Sequence, residues 1–297
     1  MIAQRHDGSS ASRSEVPYSL FAIHYASSGL GRPASHNFMT PVDFHDMPLP
    51  LDFFVWVAIG GGRAILIDSG SEKSICRQRG HDYIANPAES LAALGLKPED
   101  VTDIIVTHMH WDHLGNLADY SNAQIHVHKA EMAHATGCAM WHASLRRPYD
   151  VTQVCDLIVA LYGGRVSFTE ESAEIAPGIR SHHVGGHAPG LQVVQVQTVR
   201  GTVVVASDAM HFFANSLLTN PFPVIVDVRE YLNGLVAVER LAESPDHVIP
   251  GHDPLVRIIY PPFQGMSHIF DLNQAPAIPR STEISALLSA YGRLSQP

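Results

Sequence analysis

The sequence predicts an α/β protein built as a four-layer αββα sandwich, two β-rich halves each backed by helices. Three observations predict it. Short runs of β-branched and aromatic residues are punctuated by Gly and Pro, stretches with helical spacing of Leu and Ala fall between them, and the same alternation recurs in the second half of the chain. A single large catalytic domain is expected over 18–272, with a loose Ser-rich arm over 1–17 and a tail over 273–297 that opens Pro-rich and ends in a short helix.

Taken in order, YSLFAIHYAS, DFFVWVAIG and RAILIDSG read as strands, and Gly60, Gly61 and Gly62 between the last two read as a tight hairpin turn. Pro87 to Leu96 has helical spacing and feeds VTDIIVTH, a short β-branched run with the character of a buried strand. KAEMAHATG and VTQVCDLIVALYGG read as helices, the second stopped by Gly163 and Gly164. In the second half GIRSHHVGG, LQVVQVQTV and GTVVVASDA read as strands, REYLNGLVAVERLAES as an amphipathic helix and DHVIPGHD as a last strand.

Composition narrows the function classes. The 297 residues, 45% hydrophobic, are enough to bury a large core. A formal net charge of −10 argues against a protein that grips a phosphate backbone, so nucleic acid is not the expected partner. Cys76, Cys138 and Cys155 stand at unrelated spacings, which indicates neither a disulfide framework nor a Cys-rich zinc module. No apolar run approaches the roughly 20 residues that span a bilayer, and the N-terminus is polar where a secretory signal is apolar, so a cytoplasmic protein without a membrane partner is expected.

Composition alone does not explain nineteen histidines. Their positions do. In Thr107-His108-Met109-His110-Trp111-Asp112-His113, after the strand-like IIV, four potential ligands occupy six positions. Where the backbone turns at a strand end, His108 and His110 can point one way and Asp112 and His113 another, so one short loop can serve two ions. Imidazole nitrogen and carboxylate oxygen are the donors that divalent zinc accepts.

This string resembles the HxHxDH signature of the metallo-β-lactamase superfamily. Further segments resemble the family's later motifs in order: Gly185-Gly186-His187, Ala206-Ser207-Asp208-Ala209 and Pro250-Gly251-His252-Asp253, the resemblance running from about Tyr18 to Tyr260. It implies that His108, His110 and His187 hold a first metal, that Asp112, His113 and His252 hold a second, and that Asp208 bridges them, with two divalent ions, Zn2+ foremost, as the cofactor. Asp68, in LIDSG, matches the family's early strand-end aspartate, which implies an orienting role behind the ligands. Two such ions make hydroxide available near neutral pH by lowering the pKa of a shared water, so no Ser or Cys nucleophile is needed, and Asp112 is implied in moving the proton to the leaving group.

Within the superfamily, THxHxDHxGN, GGHAPG and the closing PGHDP look most like the N-acyl homoserine lactonase group. That implies a small-molecule lactone as substrate, and a homodimer. One departure stands out: where that group places a tyrosine three residues after the bridging aspartate, this chain has His211, a candidate catalytic group able to donate a hydrogen bond to substrate. Another small electrophile (an amide, an aryl ester or a halogenated aromatic) is the alternative substrate class. A non-catalytic metal-binding protein and an iron-loaded redox centre are the readings from other classes, and the complete ligand set and the absence of a flavin module argue against them. Trp111, Met210, Phe212, Phe213 and Phe222 are candidates for an apolar pocket wall, Trp141 to Tyr149 for a lid, and Arg146 or Arg147 for meeting an anionic substrate. His126 and His128 sit at alternate positions of one strand, whereas His182 and His183 are adjacent and point apart.

Overall fold

A computed structural model describes residues 17–42, 47–280, 289 and 291. Of the arm expected over 1–17 only Pro17 is described, and of the short helix expected near the end of the tail only residues 289 and 291 are.

Two sheets form the centre. The first orders its strands β13-β1-β2-β3-β5-β6-β7, where β1 is Ser19–Ser27, β2 Asp52–Gly60, β3 Arg63–Ile67, β5 Val101–Val106, β6 Gln124–His128, β7 Val166–Thr169 and β13 Ile269–Asp271; β4, Asp82–Tyr83, pairs with β1. The second runs β12-β11-β10-β9-β8, with β8 Ser172–Ala176, β9 Ile179–His183, β10 Gln192–Thr198, β11 Gly201–Ser207 and β12 Val248–Pro250.

The period-2 alternation of β2 shows why the first sheet is covered on both faces. Phe54, Trp56 and Ala58 join a core with Val193, Val203 and Val205 of the second sheet. Phe53, Val55 and Val57 point the other way, into a core with Cys76, Leu91, Val154 and Leu157 from helical segments. A strand buried on both faces has no polar face to show, hence the continuous apolar run DFFVWVAIG. Tyr231, Leu235 and Val238, on the inner face of the helix Val228–Leu241, pack against the first of these cores, completing four layers as expected.

Local chemistry sets the boundaries. Gly60 pairs with Arg63 across a two-residue turn in which Gly61 and Gly62 both take positive φ, 57° and 75°, the hairpin geometry whose twist matches the strands. The helix expected from Pro87 is a single α turn, Pro87–Ser90, continued as a 3-10 turn, Leu91–Leu94. The Asn86 side chain caps its start, and Gly95, at φ 76°, ends it. DHVIPGHD yields only the three residues of β12, after a 3-10 turn over Pro245–His247. Strands β4, β7, β8 and β13, too short or too mixed to show a period, were not legible beforehand. Among the described residues no helix is long and apolar enough to cross a membrane.

Candidate metal centre

Sheet direction places the chemistry. Strands β3 and β5 run parallel, as do β11 and β12, so Asp68, the loop from His108, Asp208 and His252 all leave carboxyl ends of strands on the same side of the sandwich. His187 arrives there on the loop after β9. Gly186, at φ 84°, permits that loop: a Cβ built on it would lie 2.3 Å from the Tyr231 backbone nitrogen, so only glycine lets the loop pass the helix.

The seven residues singled out as ligands converge. One donor atom from each of His108, His110, His187 and Asp208 lies within 4.8 Å of the others, and Asp112, His113 and His252 form a second such group. Asp208 stands between them: Oδ2 is 3.1 Å from His187 Nε2 and 3.7 Å from His108 Nε2, whereas Oδ1 is 2.9 Å from His252 Nε2 and 3.4 Å from His113 Nε2. His108 Nε2, His113 Nε2 and Asp208 Oδ1 are buried without a hydrogen-bond partner, although charged or polar neighbours lie so near. Lone pairs brought together without alignment on one another are what a shared cation satisfies, so the residues fit two divalent ions.

The surrounding hydrogen bonds fix which nitrogen faces inward. His113 Nδ1 donates to Asp68 Oδ2 at 2.7 Å, His187 Nδ1 to the Val224 carbonyl at 2.6 Å and His252 Nδ1 to the Asp52 carbonyl at 3.0 Å. Each leaves Nε2 as a lone-pair donor toward the cluster. The Thr107 hydroxyl donates to Asp68 Oδ2 at 2.9 Å and so can accept from His108 Nδ1 at 3.2 Å, which sets that ring the same way. Burial first, then neighbouring imidazoles (His113 for His108, His187 for His110), pushes the pKa of His108 and His110 well below the ordinary histidine value, so both stay neutral. Burial opposes ionisation of Asp208, but His211, His252 and His113 outweigh it and hold the carboxyl well below its usual range.

Asp68 occupies the orienting position expected of it. Its carboxylate also accepts from the Thr107 backbone at 2.7 Å, and its backbone sits at φ 61°. Ser207, just before Asp208, sits at φ 44°. Two non-glycine residues held in the left-handed region, at about 1–3 kcal/mol each, mark where the fold stores strain to aim the donors.

His211, expected to meet substrate, lines the cavity and stands beside the donor cluster. Its Nε2 is 3.0 Å from Asp208 Oδ2, its ring stacks on Phe222 at 3.8 Å, and with Asp208 and His252 it forms a third convergent group. Burial lowers its pKa to about 3, so it is a neutral imidazole. Of the apolar wall candidates, Trp111 and Phe222 line the adjoining cavity, whose volume is about 1040 Å³, whereas Met210, Phe212 and Phe213 are core residues. The segment Trp141 to Tyr149 is a short helix, Ala143–Arg146, and a wall: the Trp111 backbone donates to the Pro148 carbonyl at 2.9 Å, and Tyr149 packs edge-on against His110.

His126 and His128 do not meet as ligands. His126 Nε2 pairs with Asp103 at 2.9 Å, and His128 stacks on His183 at 4.0 Å; His182 turns away to Gln195.

Two supports carried no motif. Glu131 is fully buried and accepts from the Met109 backbone, the Tyr149 hydroxyl and the Gly190 backbone at 3.1, 2.8 and 2.9 Å, tying the HxHxDH loop to the cavity wall and to the loop after His187. Tyr291, in the tail, donates to Asp253 Oδ2 at 2.6 Å, beside His252. Burial pushes Asp253 up to about 7, and the same carboxylate accepts from the Phe213 and Leu255 backbones. Tyr291→Phe should therefore cost about 2 kcal/mol, a fall in Tm of roughly 3–4 °C by calorimetry; an unshifted Tm would remove the tail from the account of stability.

The sequence profile of the metallo-beta-lactamase superfamily matches residues 52–254. An N-acyl homoserine lactonase of Bacillus sp. is 25% identical over 211 residues, covering 65% of this chain and 76% of the relative. Another, of Agrobacterium fabrum, is 31% identical over 179 residues, covering 57% of this chain but only 62% of the relative, and the matches to Bacillus thuringiensis lactonases cover 59% of those proteins. Among solved structures, an N-acyl homoserine lactone hydrolase with N-hexanoyl-L-homoserine at its catalytic metal centre superposes with a TM-score of 0.64 at 21% identity, over 80% of this chain and 94% of that one.

Proposed function

Because the chain belongs to the metallo-beta-lactamase superfamily, we propose that it is a metal-dependent hydrolase that opens the ring of a lactone of the N-acyl homoserine lactone type. The observation that carries the reading is a pair of convergent His/Asp donor groups sharing Asp208 at the wall of a roomy cavity. The first group, His108, His110 and His187, and the second, Asp112, His113 and His252, would each hold one divalent ion, with zinc suited to an all-imidazole and carboxylate donor set. When bound, such ions supply Lewis acidity and a hydroxide near neutral pH.

The chain's own groups do the rest. Asp112 Oδ2, 3.5 Å from His113 Nε2 and 3.6 Å from His252 Nε2, belongs to a residue that lines the cavity. In this reading it takes the proton of the attacking water and gives it to the ring oxygen as the carbon–oxygen bond breaks. In this reading His211, a neutral imidazole stacked on Phe222 at the cavity wall, donates a hydrogen bond to the substrate carbonyl. The stacked pair, together with His81 lying on Trp111 at 5.3 Å and 8°, gives flat walls, the observation that favours an aromatic ester as the second reading.

A pH-indicator assay with lactones and aryl esters on metal-loaded protein tests the proposal: acid release from lactones is expected, and no turnover of any lactone would overturn it. His211→Phe should keep its metal, measured by elemental analysis, and lose about tenfold or more in kcat/KM. Unchanged turnover would take His211 out of the reaction.

A further inference from the structure

On the reading of this cavity as a hydrolase site, we infer that its substrate carries a carboxylate remote from the bond that is broken, held by Arg32 and Arg147. The cavity of an acidic protein, net charge −10, is lined by three arginines, and its carboxylates among the described residues are Asp112 and Asp208, both in the donor groups. None of the three guanidiniums makes an ion pair among the described residues. Arg32 is half-buried, and burial lowers its pKa to about 10, which leaves it charged at neutral pH. Its Nε donates to Asn37 Oδ1 and its Nη2 to the His36 carbonyl, which aims the group over the Phe222 ring at 5.8 Å.

Arg79 lies 4.9 Å over the Trp111 ring and spends its donors on the Arg147 and Tyr149 carbonyls. It fixes the wall from which Arg147 projects, and the exposed Arg147 guanidinium makes no hydrogen bond among the described residues. Arg146, by contrast, donates to the Met140 carbonyl and does not line the cavity. A half-buried cation without a carboxylate keeps part of its desolvation cost uncompensated, and a ligand carboxylate would supply the missing partner in bidentate form.

The test uses the metal-loaded enzyme and two γ-lactones of one length, the side chain ending in a carboxylate or in the corresponding primary amide. The acid should be opened with kcat/KM at least about tenfold above the amide, and Arg147→Gln and Arg32→Gln should each cut that ratio about tenfold, through KM more than kcat. A ratio near or below one in the wild type, or one that both variants leave intact, would overturn the inference. If neither lactone is opened, it is the hydrolase reading that fails. Calorimetric titration with glutarate and glutaramide then tests the charge by itself: glutarate binding about tenfold weaker in either variant at equal metal content supports it, and equal affinity in wild type and both variants rejects it.

Discussion

Asp208→Ala should abolish turnover and strip the protein of metal together. The carboxylate reaches donors of both clusters, Oδ2 toward His187 and His108 and Oδ1 toward His252 and His113. Removing it leaves buried imidazoles facing one another with no anion between them, and the positive charge of two ions would then be opposed by Asp112 alone in the cluster. Metal affinity should fall by more than roughly 100-fold, the upper end of what losing a mere supporting partner of a ligand costs. Elemental analysis after dialysis, paired with the lactone assay, checks this. Retention of two ions per chain would mean that Asp208 is no bridge, whatever became of activity. Asp208→Asn separates charge from shape: an amide fills the same volume, so it should fold with a similar Tm and still bind metal poorly.

Chelation should lower the melting temperature by on the order of 5–10 °C, and excess zinc should restore it. An ion present at about a thousand times its dissociation constant adds roughly 4 kcal/mol to the folded state. In a chain of 297 residues, whose unfolding entropy scales with length, that corresponds to a shift of this size. The cost falls on the fold because His108 Nε2, His113 Nε2 and Asp208 Oδ1 are buried without hydrogen-bond partners, so cation binding is their route to satisfaction. Scanning calorimetry with and without chelator reads it directly. Identical melting curves would show that the clustered donors bear no ion that matters to stability. The shift should shrink in Asp208→Ala, whose site has little affinity to lose.

The candidate donor set was legible in the chain because each donor sits in a short local motif at a strand end, and a strand end is announced by its own residues: a β-branched run, then Gly or a polar turn. HMHWDH places four donors within one loop, so their proximity is a matter of covalent connectivity. The sandwich was legible for a related reason, since alternating strand and helix periods leave few ways to bury all the apolar faces. Asp68 was legible only in company with the other motifs.

The surroundings of the candidate donors were not legible. Glu131 stands in the first turn of the helix Lys129–Ala135 with nothing nearby to mark it, and its three partners come from positions 109, 149 and 190. Arg32 and Arg79 carry no motif, and Arg147 was one of two neighbouring candidates for an anionic substrate; the fold alone lines one cavity with all three. His211 reads as a substrate contact by its offset from Asp208; the turn after β11, folding back toward His252, also sets its ring beside the donors, which the offset does not show.

The sequence by itself determined which atoms can bind metal and which strands present them, because those properties are carried by residue type and by spacing along a few residues. Only the tertiary structure decided what supports each candidate donor, which aromatic rings face the cavity and what charge that cavity shows. Those depend on contacts between segments up to 200 residues apart, as in the His252 Nδ1 bond to the Asp52 carbonyl, and no local pattern encodes such a distance.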